Sequence, residues 1–138
     1  MIGIVIVTHC QLGQALIEAT EFILGHRPEG VTAVSIDLKE NADKLRAKII
    51  EGIKKVDKKK GILILTDMFG GTPSNLSYSF LEEGRVELLS GINLPVLIKA
   101  ESARRTMEIA DLAQCVEDYG KKSISLASRI LKGNKKSK

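Results

Sequence analysis

Two residues suited to group-transfer chemistry come directly after buried, strand-like segments. His9 follows the apolar run Ile2–Thr8, and Asp67 follows the apolar run Ile62–Thr66. An imidazole titrates near neutral pH, so its neutral form is available as a nucleophile. If the two strands are neighbours in a parallel sheet, the carboxylate can accept a proton from one ring nitrogen and leave the other nucleophilic. The plainer alternatives are a histidine that only packs and an aspartate that caps its own loop.

A glycine turn follows Asp67 in the segment DMFGGTPS. Gly70 and Gly71 allow the backbone to approach a ligand closely, and the helix that Thr72 and Pro73 are expected to start favours phosphate at its first amides. The segments GK[ST] and GxGxxG are absent, so ATP and dinucleotides lack their usual binding loops. Together with His9 and Asp67, the turn predicts a site that moves a phosphoryl group onto histidine without a metal or cofactor. Its predicted phosphate-binding residues are Gly70, Gly71, Thr72 and Ser74.

The elements that must position these residues alternate between strand and helix. Strands are predicted over Ile2–Thr8, Val31–Leu38, Ile62–Thr66 and Val86–Leu89. Helices are predicted over Leu12–Leu24, from Asn41 to Val56, from Thr72 to about Glu83, and along a last face formed by Met107, Ala110, Ala113 and Val116. Pro95–Ala100 and Ser123–Leu131 are compatible with either structure. The alternation predicts an α/β fold in which helices cover both faces of a sheet.

Ligands of such folds bind beyond the carboxyl ends of the strands. Three loops are expected at that edge, and they are Thr8–Gly13, Thr66–Ser74 and Ser90–Pro95. The helix before the second strand is predicted to be amphipathic and to end at Gly25. The apolar residues that recur along it are Leu12, Ala15, Leu16, Ala19, Phe22 and Ile23.

The charge of the chain is concentrated at its C-terminal end. The 138 residues contain 21 basic and 17 acidic side chains, for a formal net charge of +4. Four lysines and no acidic residue lie in the last seven positions, so residues 1–131 balance 17 basic against 17 acidic groups. We therefore expect one domain over 1–131 and a disordered basic tail over 132–138. Aromatic residues make up 4% of the chain and tryptophan is absent, which argues against nucleic-acid binding.

The remaining composition indicates an ordinary cytoplasmic protein. Cys10 and Cys115 form neither a metal-ligand spacing nor a disulfide framework. No apolar run is long enough to span a bilayer, and the first residues lack the pattern of a signal peptide. We expect reduced thiols and a cytoplasmic location.

Three stretches resemble a known family. VTHCQLGQALIEATEFILG, LTDMFGGTPSN and LLSGINLP are similar to the signature stretches of enzyme IIA of the mannose family, from the bacterial sugar phosphotransferase system. They occur in the same order and at similar spacing, and the resemblance covers nearly the whole chain apart from the lysine tail. The string D-x-[WF]-G-G-[ST]-P-x-N followed by G-[VI]-N-[LI]-P is distinctive, so chance agreement of all three is a poor explanation.

The resemblance implies a phosphoryl carrier. The histidine that matches His9 accepts phosphate from the phosphocarrier HPr and passes it to a IIB domain, with a membrane sugar permease involved only indirectly. The aspartate that matches Asp67 hydrogen-bonds the histidine ring, and the stretch that matches Gly70–Thr72 borders the phosphate. The implied fold is a three-layer sandwich with a mostly parallel sheet of order 2-1-3-4, in which Pro95 starts a helix. Residues near Ser123–Leu126 are implied to form an antiparallel strand exchanged within a homodimer.

The chain departs from the family pattern at two positions. Family members commonly have glycine where this chain has Cys10, and tryptophan is more familiar where this chain has Phe69. We expect the Cys10 thiol beside a phosphorylated histidine to serve only in packing. The alternative is that an exposed Cys10 with a lowered pKa makes the site sensitive to oxidation.

Other functions share part of this chemistry. A regulatory phosphocarrier and the phosphotransfer subunit of dihydroxyacetone kinase would keep His9 as the acceptor. A receiver-type module phosphorylated on Asp67 is more distant, because it needs an acidic pair for Mg²⁺ after the first strand, where this chain has Thr8, His9 and Cys10. The sequence specifies neither the sugar nor the IIB partner.

Overall fold

A central sheet of four parallel strands organises the chain, in the order β2-β1-β3-β4. The computed structural model describes residues 1–68 and 72–136, with side chains at 1–68 and 75–133. The strands are β1 (Gly3–His9), β2 (Val31–Ile36), β3 (Ile62–Thr66) and β4 (Val86–Ser90). The helices are α1 (Leu12–Leu24), α2 (Ala42–Val56), α3 (Thr72–Tyr78), α4 (Leu94–Ala103), α5 (Ile109–Lys122) and α6 (Ala127–Lys136).

The two inner strands are buried on both faces, which explains their unbroken apolar sequences. Successive side chains of a strand point to opposite faces of the sheet. In β1, Ile4 and Ile6 therefore pack in one core with residues of α1, α4 and α5, while Val5 and Val7 pack in the other with Leu45 of α2. The predicted α/β class, helices on both faces and the strand order 2-1-3-4 are confirmed.

Helix ends are fixed by side chains that the sequence makes recognisable. The Oδ1 atom of Asn41 accepts a hydrogen bond from the Lys44 backbone N–H at 2.8 Å and caps α2. The Oδ1 atom of Asn93 likewise accepts a hydrogen bond from the Val96 backbone N–H at 2.9 Å and caps α4. Pro95–Ala100 is therefore part of a helix and not a strand. Gly25 ends α1 with a φ of 81°, in the left-handed region.

The apolar face predicted for α1 is not its buried face. The buried residues of this helix are Gly13, Ile17 and Thr20, whereas Phe22 remains 89% exposed and Ile23 55% exposed. Gly13 has no side chain, and a Cβ atom there would lie 3.1 Å from Ile6. Because Gly13 lets α1 approach the sheet closely, the helix packs through Gly13, Ile17 and Thr20. The hydrophobicity of the sequence alone does not identify this face.

The C-terminal region also differs from expectation. α3 ends at Tyr78 and not near Glu83. Among residues 1–68 and 72–136 no fifth strand is present, and residues 124–126 carry no regular structure between α5 and α6. Residues 132–136, predicted to be disordered, belong to α6 because the helix continues to Lys136. None of the helices in the described part of the chain is long and apolar enough to span a bilayer.

A buried guanidinium holds α4 against the end of the sheet at which the strands begin. Arg104, whose side chain has no exposed surface, donates from Nη1 to the carbonyl oxygens of Ile2 at 3.0 Å and Gly30 at 3.2 Å. Its Nη2 donates to the carbonyl of Glu29 and to the Glu101 carboxylate, which also pairs with Arg105 at 2.9 Å. Arg104 therefore connects the end of α4 to the segments where β1 and β2 begin.

Candidate functional site

His9 and Asp67 meet at the carboxyl edge of the sheet because β1 and β3 are neighbours. Val7 pairs with Thr66 in the sheet register, which places His9 and Asp67 just beyond that pair. The Nδ1 atom of His9 lies 2.8 Å from Oδ2 of Asp67, and the same oxygen accepts the His9 backbone N–H at 3.0 Å. An ionised carboxylate only accepts hydrogen bonds, so Nδ1 carries a proton in this contact, and in the neutral form of the ring the lone pair is on Nε2.

The environment of Asp67 favours its ionised form. Burial alone would raise the pKa of Asp67, but the hydrogen bonds from the His9 backbone and ring and the charge of His9 outweigh it and lower the pKa. The Oδ1 atom accepts a further hydrogen bond from the Met68 backbone N–H at 3.0 Å. About a third of the His9 side chain (32%) is exposed against 12% for Asp67. The imidazole is therefore accessible to a partner while the carboxylate behind it is shielded.

The short loop between β1 and α1 is held by Thr8. The buried Thr8 hydroxyl accepts the backbone N–H of Gly13 at 2.9 Å, whereas Gln11 at the N-cap position makes no side-chain capping bond. The loop turns through Cys10, whose φ of 50° is in the left-handed region. Residues other than glycine, asparagine and aspartate are sterically disfavoured in that region. The backbone at Cys10 therefore suits glycine better than cysteine.

A cavity of about 600 Å³ opens beside His9. Cys10 and Gln11 line one side of it, and residues 35–40 at the end of β2 line the other. On its far wall Glu40 pairs with Lys48 and, at 3.4 Å, with Lys44. The hydrogen bond from Lys48 is the largest influence on the pKa of Glu40 and lowers it. The site is therefore bounded by a charged network on this side.

Residues 35–40 were absent from the three loops that the sequence singled out. The signal was available, because Val31–Leu38 was itself predicted as a parallel strand whose carboxyl end must reach the same edge. The predicted loop Ser90–Pro95 does lie at this edge. The backbone N–H groups of Gly91 and Ile92 both donate to the Thr66 carbonyl at 3.0 Å, so this loop supports the end of β3 directly before Asp67.

The predicted phosphate-binding residues contribute no described contact. Gly70 and Gly71 lie outside the described residues, and Thr72 and Ser74 are placed only as backbone at the start of α3. Their role stays a prediction. Within the described part of the chain, no group of three or more His, Cys, Asp or Glu residues is arranged to hold a metal ion. Cys115 is half-buried in α5, on another element from Cys10.

Comparison with known proteins places the chain in a family. A protein-family model described as "EIIA-man: PTS system fructose IIA component" matches residues 3–117 of the chain. The chain is 30% identical over 132 residues to the PTS system fructose-specific EIIA component of Bacillus subtilis (strain 168), which covers 95% of this chain and 90% of that protein. It is 35% identical over 104 residues to the PTS system mannose-specific EIIAB component of Escherichia coli (strain K12). That match covers 75% of this chain but only 32% of the longer relative.

Solved structures agree in fold. The phosphotransferase system component EIIA from Streptococcus agalactiae superposes with a TM-score of 0.83 at 28% identity, covering 94% of this chain and 99% of that one. The mannose/sorbose specific IIA subunit from Enterococcus faecalis gives 0.78 at 19% identity, covering 91% and 93%, and shares the fold. On the match over residues 3–117 and the similarity to the Bacillus subtilis protein, the chain belongs to the EIIA-man family and is a phosphoryl-carrier component of the sugar phosphotransferase system.

Proposed function

We propose that the chain accepts a phosphoryl group on Nε2 of His9 from phosphorylated HPr and passes it to a IIB domain. The observation that carries this proposal is the 2.8 Å hydrogen bond between Nδ1 of His9 and Oδ2 of Asp67. It commits the proton to Nδ1 and leaves Nε2 as the nucleophilic ring atom.

The transfer is a displacement between two imidazoles. The Nε2 lone pair of His9 attacks phosphorus, the bond between phosphorus and the donor imidazole breaks, and its electron pair returns to the donor ring. No proton has to leave Nε2, because the attacking tautomer carries its proton on Nδ1. The ring of His9 gains positive charge as the new bond forms, and the ionised Asp67 stabilises that charge. The same steps in reverse order deliver the phosphoryl group to IIB.

The protein's contribution is orientation and electrostatics. Asp67 fixes the ring of His9, and Thr8 fixes the loop that carries it through the Gly13 amide. We further propose that Gly70, Gly71, Thr72 and Ser74 surround the phosphoryl oxygens. The start of α3 at Thr72, five residues after Asp67, supports this assignment.

We also propose that the functional unit is a homodimer in which residues 123–126 of each copy pair antiparallel with β4 of the other. β4 lies at one edge of the sheet that the described residues form, and on its outer side Val86 is bridged to Glu82. The segment Ser123–Leu126 alternates polar and apolar residues as a strand with one buried face does. Its two apolar side chains, Ile124 and Leu126, are 80% and 57% exposed in the single chain.

The direct test is transfer from radiolabelled phospho-HPr followed by mapping of the labelled residue. His9→Ala is expected to abolish labelling. His26→Ala is the matched control, because His26 is the only other histidine and is exposed, and it should label at the wild-type rate. The label should be lost in acid and retained in alkali, as for phosphohistidine. Labelling of His9→Ala, or an acid-stable label on Asp67, would overturn the assignment.

A further inference from the structure

A contact on the outer side of β4 limits how far a strand from a second copy can extend. The Glu82 backbone N–H donates to the Val86 carbonyl at 3.2 Å, and the Val86 N–H donates to the Glu82 carbonyl at 2.8 Å. A strand added to this edge can therefore pair only with residues 87–90 of β4, a length that residues 123–126 match. Because the proposed pairing is antiparallel, Leu126 lies at the Val86 end of β4.

Helix α6 consequently begins beside the second copy. Ala127 follows Leu126 directly, and consecutive Cα atoms are about 3.8 Å apart. The surface next to that point is the turn that leads into β4 of the second copy, residues 81–87, which we call the acidic turn. Leu81 in this turn is an exposed apolar residue, 48% accessible. Three carboxylates accompany it, those of Glu82, Glu83 and Glu87.

The apolar side of α6 is uncovered in the single chain. Every residue from 127 to 133 is exposed, with Ile130 at 50% and Leu131 at 62%. At about 100° per residue, these two and Ala127 share one side of the helix. A helix of ten residues is marginal in water without packing, since isolated helices need about 12–15 residues. A second copy whose acidic turn lies beside Ala127 supplies the surface that this side lacks.

The charges of the two surfaces are opposite. Residues 119–138 contain seven basic residues and no acidic one, whereas residues 1–118 contain 14 basic and 17 acidic ones. The acidic turn itself has three carboxylates against one basic residue, Arg85. Arg129 and Lys132 lie on the side of α6 opposite its apolar side. The attraction still reaches them, because the Debye length of about 8 Å at physiological ionic strength is comparable with the width of a helix.

We propose that α6 of each copy docks on the acidic turn of the other copy, with Ile130 and Leu131 packed against Leu81. This inference rests on the proposed exchange of residues 123–126 and adds a contact made by a different element. The contact occurs twice in a two-fold symmetric dimer, so every substitution in it acts twice.

Cross-linking between two different copies tests the contact. Cys10→Ser and Cys115→Ser remove both native thiols. In that background, full-length chains with Leu131→Cys are refolded from urea together with affinity-tagged chains that carry Leu81→Cys, and a short bismaleimide is added. We expect a cross-linked heterodimer. Phe22→Cys replaces Leu81→Cys in the matched control and should give none, because Phe22 is 89% exposed on α1, which packs beside β2 at the other edge of the sheet.

Sedimentation equilibrium measures what α6 contributes to the dimer. Leu131→Ser is expected to raise the dimer dissociation constant at least about tenfold, since a leucine that docking buries is lost twice. Phe22→Ser should leave the constant unchanged. Glu83→Lys and Lys132→Glu should each raise it about twofold to fivefold. Both together in one chain should cost less than the two separate effects combined, because opposite charges again face each other.

The outcomes separate this docking from the exchanged strand. A monomeric wild-type chain would overturn both. A wild-type dimer that is weakened by Ile124→Ser, but neither cross-links between residues 81 and 131 nor responds to Leu131→Ser, would keep the strand and overturn the docking of α6. A chain that carries both Leu81→Cys and Leu131→Cys and cross-links within itself, at the mass of a monomer, would show that α6 covers its own acidic turn and would also overturn the proposal.

Discussion

One oxygen of Asp67 accepts two hydrogen bonds from the same residue, the His9 backbone N–H at 3.0 Å and the His9 ring Nδ1 at 2.8 Å. The carboxylate thereby fixes the ring of His9 relative to its own backbone. A residue at the last position of a strand, as His9 is in β1, needs this restraint because the strand register does not determine its side-chain torsions. Orientation, tautomer and charge at His9 all depend on this one contact.

Replacement of Asp67 should therefore slow phosphoryl transfer without unfolding the chain. We expect Asp67→Ala to lower the rate about 10- to 100-fold, from the ~1.5–3 kcal/mol of a hydrogen bond to a charged group. Asp67→Asn should be comparably slow, because its amide can donate to Nδ1 and favour the tautomer with the proton on Nε2. Rapid-quench measurement with phospho-HPr gives the rates. A rate for Asp67→Asn within about twofold of wild type would show that a neutral acceptor suffices.

The lowered pKa of Asp67 predicts a pH-dependent contribution to stability. Because the pKa is lower in the folded than in the unfolded chain, ionisation of Asp67 stabilises the fold. This stabilisation is complete above the unfolded pKa, near pH 4, and is lost as the pH falls through the folded pKa. The difference in unfolding free energy between wild type and Asp67→Asn should therefore be constant from neutrality down to about pH 5 and shrink as the pH falls below about 4. Urea denaturation across the pH range measures it, and a constant difference would contradict the prediction.

The left-handed backbone at Cys10 predicts that glycine is more stable there. A non-glycine residue in this region costs about 1–2 kcal/mol, and glycine loses part of that gain through the greater freedom of the unfolded chain. We expect Cys10→Gly to raise the free energy of unfolding by about 0.5–1 kcal/mol. Cys10→Ala keeps the strained φ and should gain nothing, so it controls for removal of the thiol. Equal stability of the two variants would mean that the backbone at this position is not strained.

Arg104 should contribute far more to stability than its neighbour on the same carboxylate. Arg104→Met leaves three carbonyl oxygens and Glu101 without the guanidinium, so we expect a loss of about 3–5 kcal/mol. Arg105 also pairs with Glu101, at 2.9 Å, but its side chain is 52% exposed. Arg105→Met should therefore cost less than about 1 kcal/mol. Chemical denaturation gives both values, and similar losses would show that the buried contacts add little.

The sequence predicted the elements better than it predicted how they face each other. β3 and α1 have their predicted bounds, because unbroken β-branched runs and helical spacing are local properties. The buried side of α1 was not predictable from hydrophobicity, because it is decided by the close approach at Gly13, where a Cβ would lie 3.3 Å from Ala33. That contact depends on the parallel pairing of β1 with β2, which a single sequence does not display.

The candidate site was predictable to the extent that it depends on strand ends. His9 and Asp67 follow two strands that local pattern identifies, and only their adjacency had to be supplied by the fold. The wall formed by residues 35–40 and the charged pair of Glu40 with Lys48 depend on how a connection folds back across the edge. Buried Arg104 was missed for the same reason, since its partners lie 74 to 102 residues away.

That separation has a consequence for synthesis on the ribosome. β1 is made first, yet the carbonyl of Ile2 receives its Arg104 donor only after 102 further residues have been added. The amino edge of the sheet thus stays open while the strands accumulate, and it closes when α4 has left the exit tunnel. In a nascent chain stalled before that point the domain would be incomplete. The amino ends of the strands, which are buried in the finished domain, would still be exposed to water. The last steps of folding therefore wait for a residue three quarters of the way along the chain.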